Sequence, residues 1–175
     1  MSIIFWIGIN IINPDAFVTR KNIERLAQGK KLDPFYLSRL SADAIPETVK
    51  IFQVDIDEEI KIEMARNLYY RCDSFLGLRY YENSPFYGND PVSFKKRLKN
   101  AEEKQNENWQ SFNISERKAL LALKENYKEI VKYQKKYFEK EAEKCWERIK
   151  KCEGKWGCGE KRMCEIYEKS AKMEE

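Results

Sequence analysis

Residues 113–153 read N-I-S-E-R-K-A-L-L-A-L-K-E-N-Y-K-E-I-V-K-Y-Q-K-K-Y-F-E-K-E-A-E-K-C-W-E-R-I-K-K-C-E. No proline or glycine interrupts this stretch, which opens on a capping-box pattern at Asn113 to Glu116. A continuous helix of about 40 residues would be about 60 Å long. Its apolar stripe, interrupted by Gln134 and Glu141, consists of Leu120, Leu123, Tyr127, Ile130, Tyr137, Cys145, Ile149 and Cys152. The three-to-four spacing predicts a long helix with a coiled-coil-like seam.

Shorter helices are predicted before this stretch because helix-start signals recur along the chain. They are Asn13-Pro14-Asp15, Asp33-Pro34, Ser41 or Asp43 ahead of Pro46, and Asp57-Glu58-Glu59. Each combines a capping side chain with proline or acidic residues in the first turn. We expect the corresponding helices to end near residues 28, 40, 53 and 75. Cys72 lies on the apolar face of the last of these and is predicted to be a core residue.

The remaining segments complete an all-α prediction. Residues 76–93 contain glycine, proline and asparagine among aromatics and are predicted to form a loop, and residues 94–112 to be weakly helical. Gly154 to Gly157 end the long helix, and a short final helix is expected through Tyr167. No strand-like alternation exceeds four residues. We predict short helices packed on one another, followed by a long helix and a C-terminal helical hairpin.

Three segments follow from this pattern. Residues 1–12 are the end of a membrane helix or a buried first helix. Residues 13–112 form a domain of short helices, and residues 113–175 carry the long helix and a cysteine-containing hairpin.

The composition narrows the chemistry that the chain can perform. It has 175 residues, enough for one domain with a sizeable core, and no histidine. Without histidine there is no His-based triad, imidazole proton shuttle or His metal ligand. The 33 basic and 29 acidic residues alternate along the chain instead of forming a basic stripe. We therefore expect no nucleic-acid binding and favour a non-catalytic role.

The first residues suggest a membrane connection. Residues 3–12 read I-I-F-W-I-G-I-N-I-I, which is about half the length that a spanning helix needs. One interpretation is a buried first helix. The other is the end of a membrane helix that begins outside this chain, since Trp6 suits an interface and five basic residues follow at Arg20, Lys21, Arg25, Lys30 and Lys31. We favour the second, and expect a membrane-associated protein.

A family resemblance agrees with the second interpretation. The motifs are N-P-D-A-F-V-T-R-K-N-I-E-R-L from Asn13, L-D-P-F-Y-L from Leu32 and L-S-A-D-A-I-P from Leu40, with W-Q-S-F-N-I-S-E-R-K-A from Trp109. They resemble the soluble C-terminal region of an uncharacterised family of bacterial multi-pass membrane proteins, a domain of unknown function. The positions that carry the motifs are Asn22, Arg25, Leu32, Asp33, Tyr36, Leu37, Leu40, Ser41, Asp43, Ala44 and Pro46. The resemblance implies a helical domain attached to a membrane bundle, with no established activity.

The motif residues favour a structural role over a chemical one. Asn13, Asp33, Ser41 and Asp43 occupy positions where helices need caps, and a cap is worth about 1 kcal/mol. We predict that Arg25 pairs with Asp33 or Asp43 and fastens neighbouring helices.

Four cysteines in the tail form a symmetrical array. If the chain reverses near residue 155, Cys152 faces Cys158 and Cys145 faces Cys164 across one antiparallel hairpin. Two disulfides would staple such a hairpin in an oxidising compartment. Four thiolates would instead hold one zinc ion, although the two pairs would lie about 10 Å apart along the helix. Reduced core thiols are a third interpretation.

The sequence gives conflicting indications of which side of the membrane the helical domain occupies. The basic residues after residue 12 indicate the cytoplasmic side, where stable disulfides are rare, whereas the hairpin symmetry indicates the outside.

Three functions remain. The favoured one is a non-catalytic interaction or assembly module, with a protein partner or self-association through the long helix and a membrane contact through the N-terminal segment. The alternative is a redox or zinc-binding switch at Cys145, Cys152, Cys158 and Cys164. The third is an enzyme using carboxylates near Asp33 and Asp43. No cofactor is expected, unless zinc binds the cysteines.

Overall fold

The computed structural model describes residues 13–75, 91–107, 113–151 and 161–172. These residues form helices and contain no strand, which confirms the all-α prediction. In chain order the helices are α1 Pro14–Ala27, α2 Pro34–Ser38, α3 Ile45–Thr48, α4 Glu58–Phe75, α5 Pro91–Glu107, α6 Ile114–Glu125, α7 Tyr127–Lys151 and α8 Lys161–Lys172. Two 3-10 helices, Ala42–Ala44 and Val49–Gln53, flank α3.

The first helices begin where the sequence places them because their caps form. Asn13 adopts a left-handed conformation with φ 48°, and its side chain accepts a hydrogen bond from the Ala16 amide at 3.4 Å. Asp33 accepts from the amides of Phe35 and Tyr36 at 3.0 and 3.2 Å. Gly29, with φ 76°, follows the end of α1, a conformation that glycine adopts without a Cβ clash.

The buried apolar side chains of α1 to α6, of the 3-10 helix Val49–Gln53 and of the first part of α7 form one cluster, which we call the main core. Phe94 is fully buried in it, and its ring lies 4.7 Å from the Tyr69 ring and 5.8 Å from the Tyr127 ring. Phe52 stacks on Tyr133 at 5.5 Å. The main core extends from Ile23 in α1 to Tyr133 in α7, and the Cys72 side chain is buried within it, as predicted.

The expected helix of about 40 residues is interrupted at Asn126. There α6 ends and α7 begins, and the Asn126 backbone has φ −100° and ψ 13°. The Asn126 amide side chain and backbone N–H both donate to the Ala122 carbonyl, at 2.9 and 3.1 Å. The backbone bond is the ordinary helical one, and the asparagine side chain competes with it for the same acceptor. Proline and glycine are therefore insufficient as the only signals for a helix end.

The weakly helical expectation for residues 94–112 is wrong for the part that the structure describes. α5 is a regular helix from Pro91 to Glu107, so residues 91–93 also depart from the predicted loop. Its buried side chains are Phe94, Leu98 and Ala101, spaced by four and three residues. Such a narrow stripe is enough to dock a helix whose other positions are polar.

The last two described helices form the predicted antiparallel hairpin. Cys145 of α7 meets Cys164 of α8, and the Phe138 ring lies 6.3 Å from the Tyr167 ring, so the two helices run in opposite directions. α8 continues to Lys172, beyond the expected end at Tyr167. We call residues 138–151 of α7 together with α8 the hairpin arm. Its buried apolar residues Phe138, Ala142, Cys145 and Cys164 are not part of the main core.

Candidate functional site

The hairpin arm contains the strongest chemical feature among the described residues, a disulfide between Cys145 and Cys164. The two Cα atoms are 5.4 Å apart, the sequence separation is 19 residues, and both side chains are fully buried. This is one of the two pairs that the hairpin symmetry predicts. In the chain-entropy account, closing a loop of this length stabilises the folded state by about 3 kcal/mol.

The structure addresses the other cysteine predictions only in part. Cys152 and Cys158 lie outside the described residues. While Cys145 and Cys164 are joined to each other, neither supplies a thiolate to a zinc ion. In the described parts of the chain, no group of three or more histidine, cysteine, aspartate or glutamate residues is arranged to hold a metal.

Where α7 passes α4, charged side chains bridge the two helices. Lys136 pairs with Glu58, and Lys140 pairs with Glu59. The hydrogen bond from Lys136 lowers the pKa of Glu58, and the same bond raises the pKa of Lys136. Both pairs are exposed, so each orients the helices more than it stabilises them.

Tyr137 lies on the same side of α7 beneath Arg66. The Arg66 guanidinium carbon is 5.1 Å from the centre of the Tyr137 ring, and Arg66 also pairs with Glu63 at 3.3 Å. Burial raises the pKa of the Tyr137 hydroxyl, against the opposite effect of Arg66. Its ring is packed between the Arg66 guanidinium and the Phe138 ring, whose centre is 5.6 Å away.

Gln134 is the residue whose burial the sequence does not predict. Its side chain is 1% exposed, and neither its Oε1 nor its Nε2 has a hydrogen-bond partner. An unsatisfied buried amide costs about 1–3 kcal/mol. The sequence offers one signal for this burial, which is the position of Gln134 within the apolar stripe, four residues after Ile130.

Several motif residues of α1 to α3 make local structural contributions, and one is exposed. Asn13 and Asp33 cap helices, as predicted. Asn22 donates from Nδ2 to the Val18 carbonyl at 2.9 Å. Pro46 stands in the first turn of α3, and Tyr36 is exposed on α2.

Three predicted roles in the same region differ from the structure. Ser41 makes no side-chain cap; its backbone N–H donates to Asp15 Oδ2 at 2.8 Å instead. Asp43 lies within the 3-10 helix Ala42–Ala44 and does not cap it. Arg25 is exposed and makes no ion pair with Asp33 or Asp43.

An ion pair between α1 and α3 is made by Arg20 and not by Arg25. Arg20 lies 3.9 Å from Glu47, and Glu47 also accepts from Lys50 at 2.9 Å. The sequence pattern does not distinguish Arg20 from Arg25, since that choice depends on which side of α1 faces α3.

A small cavity lies between α2, α3 and α4. Its volume is about 10 Å³, and its lining is mainly apolar, from Leu37, Leu40, Ala44, Ile45, Met64 and Leu68. The Asn67 Nδ2 atom in this lining is buried and has no hydrogen-bond partner. The space accommodates about one water molecule and no organic substrate. Neither Asp33 nor Asp43 lines it, so it does not support the carboxylate enzyme.

The fold and these contacts define an all-α helical domain with a disulfide-stapled hairpin. Residues 1–51 match the family model described as Domain of unknown function (DUF4153). The matched part contains α1, α2, α3 and the motif residues from Asn13 to Pro46, and the stretch from Trp109 lies outside it. This confirms a resemblance to a domain of unknown function over that part of the chain.

No curated protein and no solved structure matches the chain. Within the described ranges, no helix is long and apolar enough to cross a membrane. Residues 3–12, on which the membrane prediction depends, lie outside those ranges.

Proposed function

We propose that this chain is a non-catalytic assembly module of a membrane-associated protein, and that its hairpin arm binds a second copy. The single observation that carries the proposal is a covalently stapled pair of helices outside the main core. Residues 138–151 of α7 span about 20 Å. A rigid element of this kind offers a binding surface at little cost in conformational entropy.

The predicted apolar seam is not the surface that this proposal uses. Leu120, Leu123 and Ile130 are buried in the main core, and Cys145 is buried against α8. These side chains already pack within the chain. The faces of the arm that remain exposed are charged.

The charges of the arm are arranged in two adjacent rows. The acidic row consists of Glu139, Glu143 and Glu147, which are exposed, four residues apart, and make no ion pair with another described residue. Like charges at this spacing slightly destabilise a helix, so the row has a small cost in the isolated chain.

The basic row lies about 100° around the helix from the acidic one. It consists of the exposed Lys144, Arg148 and Lys151, of which Lys144 also pairs with Glu141 of the same helix at 2.9 Å. A surface with both rows side by side is self-complementary, because a two-fold axis places each acidic row against the basic row of the other copy.

The membrane contact belongs to the N-terminal segment. Its support is the apolar run at residues 3–12 and the basic residues that follow it from Arg20 to Lys31. Labelling of the full chain from each side of a membrane would determine which side the helical domain occupies.

Sedimentation velocity of the full chain in density-matched detergent micelles tests the assembly. We expect a dimer at low salt that weakens at high salt, because exposed charges are screened. The variant Glu139→Lys/Glu143→Lys/Glu147→Lys should be monomeric, whereas Asp55→Lys/Glu125→Lys, which changes exposed charges outside the arm, should dimerise like the parent.

Charge reversal of the opposite row provides the complementary part of this experiment. Lys144→Glu/Lys151→Glu alone should be monomeric, and mixing it with the triple variant should restore a mixed dimer. A parent chain that stays monomeric at all salt concentrations contradicts the proposal, and so does a triple variant that dimerises normally.

A second candidate function is a redox switch, which the Cys145–Cys164 disulfide favours. Thiol counting after denaturation, with and without reductant and alongside zinc analysis, tests it. A switch requires that the two thiols appear under mild reduction and that α8 then exchanges its amide hydrogens faster. A disulfide that resists reduction until the whole chain unfolds excludes the switch.

A further inference from the structure

The outer side of α1 and α2 is unusually aromatic for an exposed surface. Five large apolar side chains of the described residues are exposed, and all three aromatic ones lie here: Phe17 at 46%, Phe35 at 61% and Tyr36 at 47%. The other two, Ile114 and Leu121, are on α6. Isolated exposed side chains are common, but a concentration of aromatics in one pair of helices indicates a contact.

The helical period places these aromatics on the sides of α1 and α2 that face away from the core. Phe17 lies nine residues, or two and a half turns, before the buried Leu26, so it is on the opposite side of α1. Phe35 is likewise about half a turn from the buried Leu37 on α2. The hydrogen bond from the Ser41 N–H to Asp15 places the segment that follows α2 next to the first turn of α1. Both helices therefore bury one side in the same core and turn the other outward.

Cations accompany the aromatics. Lys21 Nζ lies 6.0 Å from the centre of the Phe17 ring, and the Arg39 guanidinium carbon lies 4.4 Å from that of Phe35. Three further basic side chains, Arg25, Lys30 and Lys31, are exposed as well. Of these five, only Lys21 makes an ion pair with another described residue, with Glu24 at 2.7 Å.

Basic charge is concentrated in this part of the helical domain. Residues 13–40 contain six basic and three acidic side chains, whereas residues 41–59 contain one basic and six acidic side chains. Two of the three carboxylates in the first segment are engaged with backbone N–H groups, Asp15 with Ser41 and Asp33 with Phe35 and Tyr36. The exposed cations of this segment therefore outnumber the carboxylates that could neutralise them.

We propose that this aromatic–basic face, made of Phe17, Phe35 and Tyr36 with Lys21, Arg25, Lys30, Lys31 and Arg39, lies on the anionic headgroups of a lipid bilayer. Exposed aromatic rings beside lysine and arginine suit the headgroup region, where rings enter the interface and cations meet lipid phosphates and carboxylates. The face is adjacent in sequence to the apolar run, since α1 begins at Pro14 and the run ends at residue 12. This inference rests on the membrane attachment proposed above and assigns a second, charge-dependent contact to it.

Hydrogen–deuterium exchange on the full chain with vesicles tests the face without any variant. One vesicle preparation contains phosphatidylcholine alone, and the other also contains phosphatidylserine. Flotation of the chain measures membrane attachment, and exchange in residues 13–40 measures contact by the face. We expect flotation with both preparations, and exchange in residues 13–40 that is slower only with phosphatidylserine.

Variants then identify the side chains responsible. Phe17→Ser/Phe35→Ser/Tyr36→Ser should remove the additional protection, and so should Arg25→Glu/Lys30→Glu/Lys31→Glu. The matched control Ile114→Ser/Leu121→Ser changes exposed apolar residues on α6 and should retain it. Since each basic residue contributes about fivefold to binding an anionic surface, the charge variant should weaken the contact by about a hundredfold.

The outcomes separate the two proposals. Flotation with both vesicles, but without additional protection of residues 13–40 by phosphatidylserine, overturns the aromatic–basic face and leaves the attachment through residues 1–12 in place. No flotation with either preparation overturns both. Protection that the α6 control also loses, or that both face variants retain, overturns the assignment to α1 and α2.

Discussion

The main core and the hairpin arm are both helical, but they are held together in different ways. The main core buries a contiguous set of large apolar side chains contributed by seven α-helices and the 3-10 helix Val49–Gln53, from Ile23 to Tyr133. The arm buries only a few side chains between its two helices, namely Phe138, Ala142, Cys145, Cys164 and Ser170. A helix pair of this kind gains little from the hydrophobic effect, and the disulfide supplies a constraint that packing does not. We therefore expect apolar burial to dominate the stability of the core, and the disulfide to contribute a larger share of the stability of the arm.

The largest effect is expected from a substitution that disrupts the main core and leaves the Cys145–Cys164 disulfide intact. Phe94→Ala removes a fully buried ring that contacts Tyr69 and Tyr127, and should lower the free energy of unfolding by about 3–5 kcal/mol. Urea denaturation followed by circular dichroism measures it. The control is Phe35→Ala, whose ring is exposed, with an expected change of about 0.5 kcal/mol or less. Equal losses in the two variants would show that Phe94 is not a core residue.

The second largest effect is expected from removing the disulfide, which should destabilise the hairpin arm and leave the main core intact. Cys145→Ala/Cys164→Ala should destabilise the hairpin by about 3 kcal/mol, because the chain between the two positions is no longer closed. Hydrogen exchange should accelerate in α8 and in the last turns of α7, while α4 and α5 retain their protection. Reductant should have the same effect on the parent chain and none on the variant. Faster exchange throughout the protein would mean that the arm and the core unfold as one unit.

A third, smaller effect concerns the junction between the two regions. Gln134 is buried next to Tyr133, the last α7 residue of the main core, and its amide has no partner. Gln134→Met has a similar volume and no amide to desolvate, so it should stabilise the chain by about 1–3 kcal/mol. Thermal and urea unfolding measure the change, and Lys135→Met, at a half-buried neighbouring position, is the control. A destabilised Gln134→Met would show that the amide is satisfied in solution.

The same contrast explains how much of the structure the sequence could predict. The caps at Asn13 and Asp33 are local interactions between a side chain and amides two or three residues away, so a short motif specifies them. That Cys145 faces Cys164 follows from the antiparallel geometry of a hairpin once the position of the reversal is known, whereas the choice of a disulfide over zinc or reduced thiols does not. The break at Asn126 does not follow from the pattern, because a helix end at asparagine depends on local competition for one carbonyl, the Ala122 oxygen.

Features that depend on contacts between distant helices also limit what the sequence can predict. Whether Arg20 or Arg25 meets α3 depends on the rotation of α1, which the whole core determines. The burial of Gln134 similarly depends on which helices cover α7, since the stripe alone shows it as an interruption. The exposed aromatics Phe35 and Tyr36 have no signal of their own, because a short helix of five residues has too few positions to define a face.

The smallest expected effect concerns the charged contact where the core meets the first part of the arm. The hydrogen bond from Lys136 lowers the pKa of Glu58 in the folded chain below the ordinary value of a glutamate. A carboxyl whose folded pKa is depressed stabilises the fold above its unfolded pKa, and this contribution is lost as the pH falls through the folded pKa. Carboxyl-carbon NMR should therefore show Glu58 titrating below the ordinary glutamate range in the parent and closer to it in Lys136→Met. Lys124→Met, which removes a comparable exposed partner from Glu102, is the control and should leave the Glu58 titration unchanged. Because Glu58 is exposed, salt should reduce the shift. An unchanged Glu58 titration in Lys136→Met would show that the bond from Lys136 does not lower the Glu58 pKa, and that this charged contact contributes nothing to the packing of α7 on α4.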